Sequence, residues 1–242
     1  MRTAAFFDID GTLYREGFIA DLFKMLIKCE VIEYDEWIDK VRPAFENWDR
    51  RLGNYDKYLL QMASSYTEAL KGHHKSLMDH IVDRVIKDKA MRTYVYTRNR
   101  IKWHKEQGHL VFTISGSPEE LVRAMAEFYD LDGYVGSKYL LDENNYYTGE
   151  IIPMWNSKSK DKAITDFKNQ YDLDLDECWS YGDTAGDLAM FKKTGHPVLI
   201  NPTRELLTLA KEDAALTKRA EIIVERKDVI YKLGFDDLVI LK

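Results

Sequence analysis

Cysteine is scarce: Cys29 and Cys178 are the only two in 242 residues. Two thiols without zinc-type spacing exclude a disulfide scaffold and read as free, buried thiols of a reducing compartment. Histidine is sparse as well, with six residues and no His-Glu-x-x-His arrangement, and His73-His74 in a polar stretch reads as exposed rather than metal-bound. Positive charge is not in excess: 35 Lys and Arg stand against 41 Asp and Glu, a formal net charge of -6, and no Lys/Arg-rich block occurs. That balance argues against a nucleic-acid-coating surface, so no nucleic-acid partner is expected. No apolar run approaches the length of a membrane span, so no membrane partner is expected either. Met1-Arg2-Thr3 leads straight into the first apolar run without a signal-peptide pattern, which makes the expected location cytoplasmic. What is present is apolar material, 45% hydrophobic and 12% aromatic, enough for one large domain or a core with an inserted lobe.

Asp8-Ile9-Asp10-Gly11-Thr12 closes the apolar run Ala4-Ala5-Phe6-Phe7. Alternate positions of a strand share a face, so Asp8 and Asp10 serve one centre while Ile9 packs the other way. Gly11 frees the backbone to turn sharply. After Tyr14 the spacing becomes helical, through Phe18, Leu22, Leu26; Trp37, Ile38, Val41, Phe45; Tyr58, Leu59, Met62, Tyr66; and Leu77, Ile81, Val85. Breaks near Glu30 to Asp35, Arg51 to Asn54 and Lys71 to His74 divide this into four helices. Such a block does not fit a simple alternating sheet, so residues 15 to 90 read as an inserted helical lobe whose Tyr and Trp residues pack its core.

From residue 91 strands and helices alternate. A helix over Tyr94 to Glu106 ends near Gly108 and leads to the strand His109 to Ile114. Ser117-Pro118-Glu119-Glu120 starts the next helix, with Ser117 as its cap. A hairpin over Gly133 to Pro153 follows, then a helix over 159 to 170, the strand Cys178 to Tyr181, the turn Gly182-Asp183, a helix to Lys193 and the strand His196 to Ile200. The C-terminal runs Ile222-Ile223-Val224 and Leu238-Val239-Ile240-Leu241 complete the sheet or pack on it. The expected fold is therefore α/β, a Rossmann-like parallel sheet core (residues 1-14 and 91-242) with an inserted helical cap (15-90).

In a parallel sheet the site lies beyond the carboxyl ends of the strands. That rule gathers Asp8 and Asp10 after one strand, Ser115 after a second and Asp183 after a third, with Asp187 one helical turn on as support. Carboxylates this dense repel unless a cation neutralises them, and Mg²⁺ is the hard, oxygen-preferring cation that bridges carboxylates to phosphate.

These residues carry a resemblance. Asp8-Ile9-Asp10-Gly11-Thr12, Ser115-Gly116, Lys160 and Gly182-Asp183-Thr184-Ala185-Gly186-Asp187 resemble, in order, the four motifs of the haloacid dehalogenase-like phosphohydrolase superfamily, most nearly its phosphoserine-phosphatase-like branch. The resemblance spans nearly the whole chain. It implies Asp8 as nucleophile and Asp10 as the acid and base that moves the proton. It further implies Mg²⁺ held by Asp8, the Asp10 carbonyl and Asp183, and phosphate held by Ser115, Gly116 and Lys160. Lys160 is preferred over Lys158 and Lys162 by its place 23 residues before Asp183. Ser117 is kept for helix capping. The implied activity is a Mg²⁺-dependent phosphomonoesterase acting on a small phosphorylated metabolite through an aspartyl-phosphate. A phosphotransferase or mutase, and a non-catalytic phosphate-binding regulator, stand as alternatives. Gly116-Ser117 replaces the branch's usual Gly-Gly pair, Gly186 replaces an Asn, and Glu16 lies one place out of register, so the ester stays open. Arg15, Glu16, Arg42, Arg50 and Arg51 are candidate cap residues for meeting a substrate, although most surface arginines are simply solvated.

Overall fold

The computed structural model describes residues 1–53 and 55–239. In chain order it forms β1 (Ala4–Phe7), α1 (Phe18–Lys28), α2 (Tyr34–Glu36), α3 (Arg42–Asp49), α4 (Tyr55–Leu70), α5 (Lys75–Lys89), α6 (Val95–Glu106), β2 (Leu110–Pro118) and α7 (Glu119–Phe128). There follow β3 (Gly133–Leu141), β4 (Tyr147–Ile152), α8 (Ser157–Tyr171), β5 (Trp179–Gly182), α9 (Leu188–Lys193), β6 (His196–Ile200), α10 (Arg204–Lys211), α11 (Ala214–Arg219), β7 (Glu221–Arg226) and β8 (Val229–Leu233).

The strands make one sheet in the order β4-β3-β2-β1-β5-β6-β7-β8. Its interior is parallel, and the two edge strands are antiparallel to their neighbours. β1 lies at the centre, pairing Phe7 with Thr113 of β2 and with Tyr181 of β5. Its four residues are fully buried, because helices cover both faces of a parallel sheet and leave no polar side to alternate with. This register sets the ends of β1, β2 and β5 side by side, and the chain leaves all three at one edge of the core. The expected Rossmann-like α/β fold with a cap is the one found.

Between β1 and β2 the chain is helical, and the expected second helix splits into α2, a π-turn over Trp37–Val41 and α3. The aromatic residues there pack on one another, with Trp48 stacked on Tyr58 at 5.6 Å and 9°. Apolar contact is continuous from Phe7 and Ile9 through Leu22 and Leu26 to Tyr66, Met78 and Ile81, so the helices share a core with the sheet. Backbone hydrogen bonds join lobe and core: the Arg15 N–H donates to the Arg92 carbonyl at 3.0 Å, and the Gly72 N–H donates to the Tyr147 carbonyl of β4 at 2.9 Å.

Four local expectations need correction. β2 runs on to Pro118 instead of stopping at Ile114, and Ser117 does not cap α7. Its hydroxyl donates instead to the Asp10 carboxylate at 2.6 Å, because a charged acceptor makes the stronger hydrogen bond. Cys29 is half-buried where α1 ends, whereas Cys178 is buried. His73 and His74 are half-buried, and the His74 ring caps α5 by accepting from the Ser76 N–H. The C-terminal run Ile222-Ile223-Val224 forms β7 within the sheet, while Ile240 and Leu241 lie outside the described residues, as does Asn54.

Candidate active site

Asp8 follows the last residue of β1, and its N–H donates to the Tyr181 carbonyl of β5 at 3.0 Å, which holds it against the sheet. Gly11 then turns the chain with φ +78°, a left-handed conformation that costs residues with a Cβ about 1–2 kcal/mol. A Cβ at Gly11 would also stand 2.0 Å from Asp183 Oδ2, so glycine is required on two counts. The turn brings Thr12 round to donate to Asp183 Oδ1 at 3.2 Å.

The Asp10 carboxylate is held from both sides. Oδ1 accepts from the Phe18 and Ile19 N–H groups at the start of α1, and Oδ2 accepts from Ser117 at 2.6 Å and Ser115 at 3.3 Å. Burial raises its pKa, against the opposing pull of Ser117 and the α1 amides. Since α1 belongs to the helical lobe, the lobe itself orients Asp10.

Lys160 reaches the site from the first turn of α8. It is buried and places Nζ 2.6 Å from Asp187 and 3.1 Å from Asp8. Lys158 and Lys162 are exposed, so the structure separates the three lysines as the sequence spacing did. Burial alone would lower the Lys160 pKa, but Asp187 and Asp8 outweigh it and raise it. Asp187 is fully spent. Oδ1 holds Lys160, and Oδ2 accepts from the Asp183 and Thr184 N–H groups, each at 3.1 Å. A Cβ at Gly182 would run into the Asp187 carboxyl group, so the last residue of β5 is glycine for close approach.

Asp8, Asp183 and Asp187 offer oxygens within 4.8 Å of one another, all buried. Asp8 is pushed up to about 7, first by burial, against the pull of Lys160, with Asp187 and Asp10 adding to the rise. Burial and the same neighbours raise Asp183 well above the ordinary carboxylate range. One lysine does not balance these carboxylates. Asp8 Oδ1 is a buried oxygen with no hydrogen-bond donor, although Lys160 lies beside it. An all-oxygen donor set with surplus negative charge fits a hard divalent cation. Because both Asp187 oxygens are engaged, Asp8 and Asp183 are the side chains left to hold it.

A pH effect follows from these shifts. Asp8 keeps its proton in the metal-free fold up to about pH 7, but the unfolded chain releases it near 3.8. The native state then binds more protons, so stability falls as pH rises between those values. Metal-free protein should therefore melt at a lower temperature at pH 8 than at pH 5, and Mg²⁺ should restore more of the loss at pH 8. Thermal scans with and without Mg²⁺ check this, and a flat profile in metal-free buffer would count against the charge surplus.

Above these groups lies a cavity of about 190 Å³. Asp8, Asp10, Gly116, Ser117, Lys160, Thr184 and Gly186 form its polar floor, with Trp155 beside them. Ile19 of α1 and Tyr55, Leu59, Leu60 and Ala63 of α4 close the top. Of the sequence-selected residues, Ser115 lies fully buried, bonded to Asp10. The charged cap residues singled out in the sequence do not line the cavity. Glu16 pairs with Arg92 at 2.9 Å, Arg42 and Arg50 pair with Glu46, and Arg15 lies over the Tyr94 ring. Trp155 and the α4 face were missed. The spacing Tyr55, Leu59, Ala63 was a visible helical stripe, yet helical stripes usually pack inward.

Fold and site together define the class: a hydrolase with a capped α/β core and an aspartate-lined pocket at the carboxyl edge of its sheet. The haloacid dehalogenase-like hydrolase family model matches residues 5–192, and the chain belongs to that family as a phosphatase. It is 26% identical over 208 residues to the "Inhibition of morphological differentiation protein" of Streptomyces azureus, covering 85% of this chain and 74% of that one. To phosphoserine phosphatase SerB1 of Mycobacterium tuberculosis it is 24% identical over 216 residues, covering 88% and 69%. Its fold matches a solved phospho-aspartyl intermediate analogue of phosphoserine phosphatase with a TM-score of 0.59, at 20% identity over 94% of this chain and 95% of that one.

Proposed function

We propose that the protein is a Mg²⁺-dependent phosphomonoesterase that hydrolyses a small organic phosphate through an aspartyl-phosphate on Asp8. The observation that carries this is the pairing of two differently placed carboxylates at one pocket. Asp8 lies beside the Lys160 ammonium with a buried oxygen that no donor holds, whereas Asp10 is held by hydroxyl and amide donors; burial raises both pKa values, and Lys160 together with a divalent cation would return Asp8 to its ionised form.

Asp8 attacks phosphorus and displaces the alcohol, which takes its proton from Asp10; Asp10 then removes a proton from the water that cleaves the acyl phosphate. Lys160 and the Gly116 N–H hold the phosphoryl oxygens through charge build-up, while the Ser115 and Ser117 hydroxyls hold Asp10 beside them. A divalent cation held by Asp8, Asp183 and the Asp10 carbonyl would supply further neutralisation of those oxygens. Residues 15–90 act as the cap that excludes bulk water, with 1–14 and 91–242 as the catalytic core. The likeness to named phosphoserine phosphatases supports the mechanism.

Phosphate release from p-nitrophenyl phosphate tests it. Turnover is expected with Mg²⁺ and should fall at least tenfold after chelation, the scale on which removing an electrostatic stabiliser acts. Undiminished turnover in chelator would remove the cation from the mechanism.

A further inference from the structure

The two ends of the cavity differ in kind. Its floor is charged and hydrogen-bonding, as phosphate requires, but its upper wall is Ile19, Tyr55, Leu59, Leu60 and Ala63, and Trp155 adds a further apolar residue beside the floor. Tyr55, Leu59 and Ala63 recur every four residues on α4, so they present one continuous apolar strip to the pocket. Among the described side chains, the sole polar atom that the cap adds is the Tyr55 hydroxyl. Burial, Asp10 and Asp183 raise its pKa well above the usual phenol value, so it is a neutral donor near the reaction centre.

This wall is held in place rather than incidental. Tyr55 packs on Trp48 at 5.0 Å and on Tyr58 at 6.0 Å. Trp155 lies against two glycines, Gly116 in β2 and Gly186 in the turn before α9. A Cβ at Gly116 would meet Trp155 Cβ at 2.8 Å, and one at Gly186 would meet the Trp155 carbonyl at 2.7 Å. Leu60, half exposed, is an apolar side chain at the cavity that packing does not account for.

We infer that the cap selects phosphate monoesters whose leaving alcohol is compact, uncharged and apolar, an alkyl or aryl group, and rejects those carrying an ammonium or carboxylate beside the ester oxygen. This inference rests on the phosphomonoesterase proposed above and narrows its substrate class. A charged group next to the bridging oxygen would be brought against Leu59, Leu60 and Ala63 with no counter-charge from the cap and only the neutral Tyr55 hydroxyl beside it, and a charge without a counter-charge is costly to desolvate. Arg42 and Arg50, which would have suited a carboxylate, are spent on Glu46.

The test compares benzyl phosphate and butyl phosphate with O-phosphoserine and phosphoethanolamine as substrates of the full-length protein with Mg²⁺. The neutral esters should show kcat/KM at least about tenfold higher, within the range by which unpaired polar groups are rejected. Leu59→Arg, a residue outside the catalytic groups, should shrink the gap for O-phosphoserine and leave phosphoethanolamine disfavoured. Equal rates across the panel, or a preference for the charged esters, would overturn the inference and leave the phosphatase intact. Absence of turnover on all four, with p-nitrophenyl phosphate also untouched, would overturn the hydrolytic proposal itself.

Discussion

Asp8→Asn is expected to reduce ester turnover by a factor of about 10⁴ or more, the scale on which loss of a nucleophile acts. The amide has nearly the shape of the carboxylate and keeps its place at the end of β1, but it lacks the charge that attacks phosphorus. Folding should not suffer. Asp8 is a buried acid whose pKa is raised to about 7, so a neutral isostere relieves part of the repulsion from Asp187 and Asp10. The paired measurements are phosphate release and thermal unfolding: activity should vanish while the melting temperature holds or rises. Activity within tenfold of wild type would falsify the nucleophile assignment and point to direct attack by water. A collapse of both activity and melting temperature would show that Asp8 is needed for the fold through its bond to Lys160.

Lys160→Met is expected to lose about 3–5 kcal/mol of stability at neutral pH, as happens when one partner of a buried ion pair is removed. Lys160 is the cation shared by Asp8 and Asp187, and all three are buried. Without it, Asp187 keeps its amide donors from Asp183 and Thr184, but one oxygen faces a methionine stem. The carboxylates then hold protons to higher pH than before, so the deficit should shrink as the solution is acidified. Urea unfolding at pH 5 and pH 8 measures it, and the double variant Lys160→Met/Asp187→Asn should recover part of the loss. A single variant as stable as wild type at pH 8 would mean that the carboxylates are already neutralised by other means.

Much of this site was legible in the chain because its chemistry is local. Asp8, Ile9 and Asp10 alternate at a strand end, Gly182 to Asp187 form a turn closed by its own carboxylate, and Lys160 opens a helix; each pattern spans a few residues. What escaped depended on partners distant in sequence. Ser117 looked like a helix cap because Pro118 and two glutamates follow it, but Asp10, 107 positions away, offers the stronger acceptor. The cap arginines are the opposite case: Glu46 lies four residues from both Arg42 and Arg50 and takes both, a local pairing that the helical spacing already displays.

Sequence by itself determined the α/β class, the helical insertion and the carboxylate motifs, since periodicity and short spacings express backbone geometry directly. Tertiary structure alone decided what those motifs face. Trp155 comes to the pocket because Gly116 and Gly186 leave room for its Cβ and its carbonyl. The Tyr55, Leu59 and Ala63 face of α4 turns toward the polar floor of the cavity, with Tyr55 packed on Trp48 and Tyr58. Helical periodicity tells which residues share a face, but only packing tells whether that face meets core or cavity.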